Sequence, residues 1–310
     1  MPRHFLTGLE LARDELERVL DRALELKRIR ADDKGPRSRP LDGRSVALIF
    51  ERPSTRTRVS FEVGIAELGG TAVVLSGGDL QLARGESLRD TAVVLSRYVH
   101  AIGVRTDSHA MLEQLAASAR VPVVNMLTDE HHPCQALADM LTLRERFGTL
   151  AGLKLAYLGD GNNVTSSLML LGATLGVEVA VATPPELAPD ENVVRLAQDR
   201  AQDAPVSILS DSEEAVRGAH ALYTDVWVSM GDEAEAPRRR ERLAPYRLDD
   251  ALLARARGDA VALHCLPAHP GEEISAEVLY GPRSAVWDQA ENRLHAQKAL
   301  LELLLTGTVP

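Results

Sequence analysis

"VALIFERPSTRTRVSFEVGIAELGGTAVVL", residues 46–75, decides the fold class. Val46–Phe50 is an unbroken apolar run of the kind a strand buried on both faces requires. Pro53 stops it, and Ser54 or Thr55 offers a hydroxyl cap for a helix running to Leu68. That helix gathers Phe61, Ile65 and Leu68 on one face, Gly69-Gly70 ends it, and Ala72–Leu75 forms a second strand. A strand, a helix and a strand in so short a span make a βαβ unit, and hence a parallel sheet with covering helices.

The same alternation continues in both directions. Leu11–Ile29 is expected to be an amphipathic helix, with the polar linker Asp32–Pro40 after it. Downstream, Thr91–Tyr98, Met111–Ala119 and His132–Phe147 read as helices, and Ala101–Val104 and Val121–Met126 as strands. A second unit of like layout opens with the strand Lys154–Leu158, turns at Gly159-Asp160-Gly161-Asn162-Asn163, and continues as a helix to Leu175. Val177–Ala182, Val206–Leu209, Ala221–Thr224 and Ala260–His264 read as strands, with helices at Asn192–Ala201 and Gln289–Leu305. The expectation is an α/β chain of two domains, residues 1–150 and 151–310, each a mostly parallel sheet with helices on both faces. The boundary is expected near Thr149–Gly152, with the final helix packing back on the first domain.

Composition narrows the function. At 310 residues the chain is long for one core, and 45% hydrophobic with 26% charged residues is ordinary for a soluble globular protein. A net charge of −10 repels phosphate backbones, so no nucleic-acid partner is expected. No stretch approaches the roughly 20 apolar residues of a membrane span, and the N-terminus shows no secretory pattern, so a cytoplasmic protein is expected. The two cysteines, Cys134 and Cys265, do not form a disulfide framework. All but Lys27, Lys34, Lys154 and Lys298 of the 35 basic residues are arginine, so only a tight group of arginines carries information.

Several stretches suggest chemistry. A helix beginning at Ser54-Thr55 turns its free N–H groups and positive dipole end outward, and Arg56 adds a fork suited to phosphate. The Walker A pattern is missing, so any phosphate site here uses neither its glycines nor its lysine. Ser76–Leu88 is polar, glycine-rich and too long for a simple turn. The turn G-D-G-N-N-V at 159–164 is not G-x-G-x-x-G, and no acidic ribose partner follows, so a nucleotide site is not expected. Asn162 and Asn163 either bind a polar ligand there or cap the helix. His132, Cys134, His264 and Cys265 could form a tetrahedral set, but their spacing is not that of structural zinc pairs. His132 and Gln135, beside Pro133 at a helix start, suit donors aimed at a carbonyl or phosphoryl oxygen. Asp225, at a strand's carboxyl end, suits a ligand amine.

S-T-R-T-R at 54–58, V-R-T at 104–106, H-P-C-Q at 132–135 and H-C-L-P at 264–267 occur in the order seen in carbamoyltransferases. With D-x-W-x-S-M-G at 225–231, the chain resembles the ornithine carbamoyltransferases of that family, over nearly its whole length to E-N-R-L-H-A-Q-K at 291–298. The resemblance implies carbamoyl transfer from carbamoyl phosphate to the δ-amine of L-ornithine, with no metal or organic cofactor. It also implies an active site in the cleft between a carbamoyl-phosphate domain and an amino-acid domain, and a homotrimer or a higher assembly of trimers. Carried over by motif, Ser54, Thr55, Arg56, Thr57 and Arg105 hold the phosphate, and His132, Gln135 and Thr57 face the carbamoyl group. Pro133, Cys134 and Arg293 match further carbamoyl-phosphate positions, and Cys265 and Leu266 border the reacting centre. Gln81 falls in the loop that reaches a neighbouring subunit's site, and Asn163, Asp225, Ser229 and Met230 match ornithine-binding positions. In catalytic roles the resemblance casts Arg56, Arg105, His132, Gln135, Asp225 and Cys265. Other members take aspartate, putrescine or an acylated ornithine, and the S-M-G loop favours ornithine over aspartate. Pro270, where the family pattern has arginine, and Thr165-Ser166 depart from that pattern.

Overall fold

The computed structural model describes residues 2–32, 38–80, 85–201, 204–228 and 235–309. Gln81, Ser229 and Met230 lie outside them. The chain divides into two compact units, one of Met1–Leu141 with Asn292–Pro310, the other of Thr142–Glu291. Among the described residues no helix is long and apolar enough to cross a membrane.

The first unit contains α1 (Arg13–Ala31), β1 (Ser45–Phe50), α2 (Thr55–Glu67), β2 (Thr71–Ser76), α3 (Leu88–Leu95), β3 (Ala101–Arg105), α4 (His109–Ser118) and β4 (Val123–Leu127). Its four parallel strands run in the order β2-β1-β3-β4. β1 and β3 are almost wholly buried, whereas edge strand β2 alternates between exposed and half-buried positions. That contrast is why the apolar run at 46–50 was so legible. α3 begins three positions before the expected Thr91 because the Ser87 hydroxyl accepts from the Asp90 N–H at 3.0 Å.

α5 (Pro133–Phe147) leads to the second unit, with β5 (Lys154–Leu158), α6 (Asn163–Leu175), β6 (Glu178–Ala182), α7 (Glu191–Arg200), β7 (Val206–Leu209), α8 (Ser212–Val216), β8 (Ala221–Thr224), α9 (Ala236–Leu243), α10 (Asp250–Leu253), β9 (Val261–His264) and α11 (Ala276–Leu279). Its five parallel strands take the order β7-β6-β5-β8-β9. α8 to α11 were not expected from the sequence: α8, α10 and α11 are too short to show a helical period, and α9 is dominated by charged residues.

The strand order changes direction between β1 and β3 in one sheet and between β5 and β8 in the other. Crevices outside the carboxyl ends of such strands are where open α/β sheets bind ligands. In the first sheet those ends deliver Ser54 and Arg105; in the second they deliver Asn162 and Asp225.

α12 (Val286–Thr306) carries Asn292 and all that follows into the first unit. Polar pins fix it there: Arg22 donates twice to Glu302 (2.9 and 3.1 Å), Lys27 to Asn292 (2.9 Å) and Lys298 to Glu67 (2.6 Å). The Arg22–Glu302 pair is buried on both sides, so it fixes the seating of the helix more than it adds net stability. Arg293 is thereby set in place.

Candidate active site

In the first unit, Ser54 occupies the N-cap of α2 by its extended backbone alone; its hydroxyl makes no cap hydrogen bond. The expected hydroxyl cap is therefore not formed, and the first-turn N–H groups keep no side-chain partner from Ser54. Thr55 and Arg56 are exposed beside it, and Thr57 is buried. The C-terminal ends of β1 and β3 are tied together by Glu51 N–H donating to the Arg105 carbonyl at 3.0 Å and by the Thr106 hydroxyl donating to the Glu51 carboxylate.

Arg293 organises the interior of this site. Its guanidinium donates to Thr57 Oγ1 at 2.8 Å, Gln135 Oε1 at 2.6 Å and His132 Nε2 at 3.2 Å. A guanidinium only donates, so His132 Nε2 carries the lone pair and the ring proton sits on Nδ1. Gln135 in turn donates from Nε2 to Asp139 Oδ1 at 2.8 Å, which fixes which end of its amide faces Arg293. Asp139 is fully buried and was missed in the sequence; its place four residues after Gln135 on α5 was the available signal.

The electrostatics are one-sided. Burial, then the charges of Arg293 and Arg56, hold the Arg105 guanidinium down to about 10, with Asp107 pulling the other way. Asp107 itself is paired with Arg52 at 2.6 Å. Burial and then Arg293, Arg105 and Arg56 push His132 well below the ordinary histidine range, so the ring is neutral at physiological pH. The Nε of Arg105 is buried and has no hydrogen-bond partner among the described residues. Arg293 and Arg56 both repel Arg105, and such a group of guanidiniums suits a multiply charged anion. Cys134, by contrast, is fully buried, donates to the Asn125 carbonyl at 3.2 Å, and has its thiol pushed up to about 12 by burial.

The second unit's site forms at the ends of β5 and β8. Asn162 caps α6, its Oδ1 accepting from the N–H groups of Val164 (3.0 Å) and Thr165 (3.2 Å). Of the two roles left open for the asparagines, Asn162 takes the cap, and its Nδ2 donates to Asp225 Oδ2 at 2.8 Å. Thr165, one of the departures from the family pattern, donates to the Asp160 carbonyl at 2.9 Å and tightens the same turn. Gly161 is demanded by the protein itself: a Cβ there would lie 2.3 Å from the Pro189 nitrogen. Asp225, mostly buried, accepts through Oδ1 from Cys265 Sγ and from the Val226 N–H, both at 2.8 Å.

Asp225, His264 and Cys265 have ligand atoms within 4.8 Å of one another. His264 is otherwise committed: Nδ1 accepts from the Leu266 N–H at 2.9 Å, and Nε2 therefore carries the proton and donates to buried Glu273 at 3.1 Å. The arrangement reads as a hydrogen-bonded clasp around Leu266, whose φ of 60° is a left-handed conformation uncommon outside glycine.

Residues 3–145 match the model of the aspartate/ornithine carbamoyltransferase carbamoyl-phosphate-binding domain, and residues 151–304 that of the aspartate/ornithine-binding domain. The chain belongs to the aspartate/ornithine carbamoyltransferase family. Among curated relatives, ornithine carbamoyltransferase of Methanoculleus marisnigri is 54% identical, over 99% of this chain and 98% of that protein. That of Parafrankia sp. is 55% identical over 99% and 97%. The solved ornithine carbamoyltransferase of Pyrococcus furiosus superposes with a TM-score of 0.95 at 48% identity, covering 99% of this chain and 98% of that one. The protein is a carbamoyltransferase with two parallel-sheet domains, and its partners are small-molecule substrates.

Proposed function

We propose that the protein transfers the carbamoyl group of carbamoyl phosphate to the δ-amine of L-ornithine, giving L-citrulline and phosphate, in arginine biosynthesis. The observation that carries the donor assignment is the group of guanidiniums around a helix start, in which Arg293 and Arg56 both repel Arg105. A dianionic phosphate relieves that repulsion, and Ser54, Thr55 and Thr57 add donors. The acceptor assignment is supported by the relatives' common name and by the Asn162–Asp225–Cys265 chain of hydrogen bonds.

Phosphate is already a good leaving group, so the residues have only to orient the donor, polarise its carbonyl and admit a neutral amine. Neutral His132 adds no fourth cation, and Arg293 and Thr57 supply donors near the developing oxyanion. Gln135, held by Asp139 and Arg293, fixes the carbamoyl group's orientation. As the amine attacks the carbonyl carbon and the C–O bond to phosphate breaks, the amine's extra proton leaves to solvent or a neighbouring group. Asp225 orients the acceptor's amine end, with Asn163, Ser229 and Met230 on the amino-acid end and Cys265 and Leu266 beside the reacting centre. We place the enzyme in the cytoplasm as a homotrimer, with Gln81 completing a neighbouring subunit's site and with no metal or organic cofactor.

The test is product formation at fixed carbamoyl phosphate across L-ornithine, putrescine, acylated ornithine and aspartate. Ornithine is expected to exceed the others in kcat/KM by orders of magnitude. A preference for any other amine overturns the acceptor assignment and leaves the donor site standing.

A further inference from the structure

The ladder between β5 and β8 ends at the pair Leu158–Thr224. Beyond it the strands diverge, one into the turn before α6 and the other into Asp225 and Trp227. Yet Asn162 and Asp225 must face each other across that divergence. Their own hydrogen bond is one tie, and the Thr224 hydroxyl on the Leu158 carbonyl at 2.9 Å is another. A third comes from outside both loops: Arg239, on α9, donates from Nε to the Trp227 carbonyl at 2.9 Å and from its terminal nitrogen to the Asp160 carboxylate.

We propose that Arg239, acting with Asp160, is a positioning residue for the acceptor half-site, bracing the turn that carries Asn162 against the segment that carries Asp225. The inference rests on the acceptor assignment above. Asp160 and Trp227 each stand two residues from the group they control. Asp160 transmits any shift directly, because its carbonyl accepts from both the Asn162 N–H (2.8 Å) and the Thr165 hydroxyl. Trp227 is buried in the unit's core and so gives a fixed reference. The Arg239 and Asp160 side chains are only 13% and 17% exposed, which limits screening of the pair. A guanidinium holds two acceptors in different directions through a rigid fork, and a lysine ammonium placed on Asp160 would give up Trp227.

The experiment compares Arg239→Gln, Arg239→Lys and Asp160→Asn with the wild-type enzyme. Loss of a charge-assisted hydrogen bond of this kind corresponds to a rise of about 10- to 100-fold in the ornithine KM for Arg239→Gln. The carbamoyl-phosphate KM stays within about two-fold, the scatter of an unperturbed site. Arg239→Lys recovers part of the loss, and Arg239→Gln combined with Asp160→Asn is no worse than Arg239→Gln alone. A second readout does not depend on turnover. Cys265 donates to Asp225, whereas Cys134 is buried with a raised pKa, so alkylation of the native protein reports on Cys265. Its rate should change several-fold in Arg239→Gln and lose its protection by ornithine. A folded Arg239→Gln enzyme with wild-type ornithine KM and alkylation rate overturns the proposal, as does a loss of thermal stability with both unchanged. Should Arg239→Gln not fold, Asp160→Asn and Arg239→Lys decide by the same two measurements. Wild-type protein inactive on ornithine would sink the acceptor assignment instead, and the alkylation rate would still test the brace.

Discussion

Arg105 offers the sharpest test of the phosphate site, because removing it should make the empty protein more stable. The folded state holds its guanidinium down to about 10, well below the ordinary arginine range, chiefly through burial and then through Arg293 and Arg56. A cation whose pKa is depressed on folding destabilises the fold at every pH below the depressed value, and that cost fades only as pH rises from about 10 toward the ordinary arginine range. Full conversion at 1.36 kcal/mol per pH unit gives about 3 kcal/mol, which solvent screening at this half-buried group reduces to roughly 2. Arg105→Met, which keeps the stem's packing, is expected to raise the melting temperature of the ligand-free protein. For a unit of this size 1 kcal/mol moves Tm by about 2–4 °C, so the rise should be about 4–8 °C. The same change removes a charge-assisted bond to phosphate, worth about 1.5–3 kcal/mol, or about 10- to 150-fold in affinity. Scanning calorimetry with and without carbamoyl phosphate reads both effects. At saturation wild type should gain about 1.5–3 kcal/mol more from the ligand than the variant, so the variant's lead of roughly 2 kcal/mol narrows or reverses. A variant less stable than wild type when empty, yet stabilised as much by carbamoyl phosphate, would falsify the cradle.

Other consequences follow from the same geometry. Burial and nearby His109 hold His131 down to about 4, so its proton binds the unfolded chain first and stability should fall as pH drops from 6.5 toward 4; His131→Phe should flatten that fall in urea titrations at pH 7 and 5, and an unchanged slope counts against it. Asp225→Asn should raise the ornithine KM about ten-fold or more by removing one charged acceptor, with carbamoyl-phosphate binding measured by calorimetry unaltered; weakened donor binding would reverse the division of labour. Mixing inactive Gln81→Ala and Arg56→Ala proteins should restore part of the activity if sites are shared between subunits, and verified subunit exchange with no recovery would assign Gln81 to its own chain. Incubation with a chelator should leave turnover unchanged, and stoichiometric zinc whose removal abolishes activity would contradict the hydrogen-bonding reading of His264 and Cys265.

The alternation of strands and helices was legible in the chain, because its central strands are apolar runs and an amphipathic helix such as α1 buries one periodic face; Val46–Phe50 and Lys154–Leu158 match observed strands to within a residue. The sequence also singled out the residues at the strands' carboxyl ends, since hydroxyls, arginines and asparagines there interrupt otherwise apolar periodicity. What it could not give was their meeting. Arg293 lies far along the chain from Thr57 and His132, and only the seating of α12 on α1 and α2, through Glu302, Asn292 and Lys298, brings its guanidinium between them. The depressed pKa values of Arg105 and His132 belong to that assembly, because they arise from burial and from charges distant in sequence. Asp139 and Arg239 stayed hidden for the same reason: a carboxylate or an arginine on a helix reads as a solvated charge until packing shows what it touches. Local patterning is written by each residue's own preferences, whereas a site is a set of distances between segments, and those distances exist only once the core has closed.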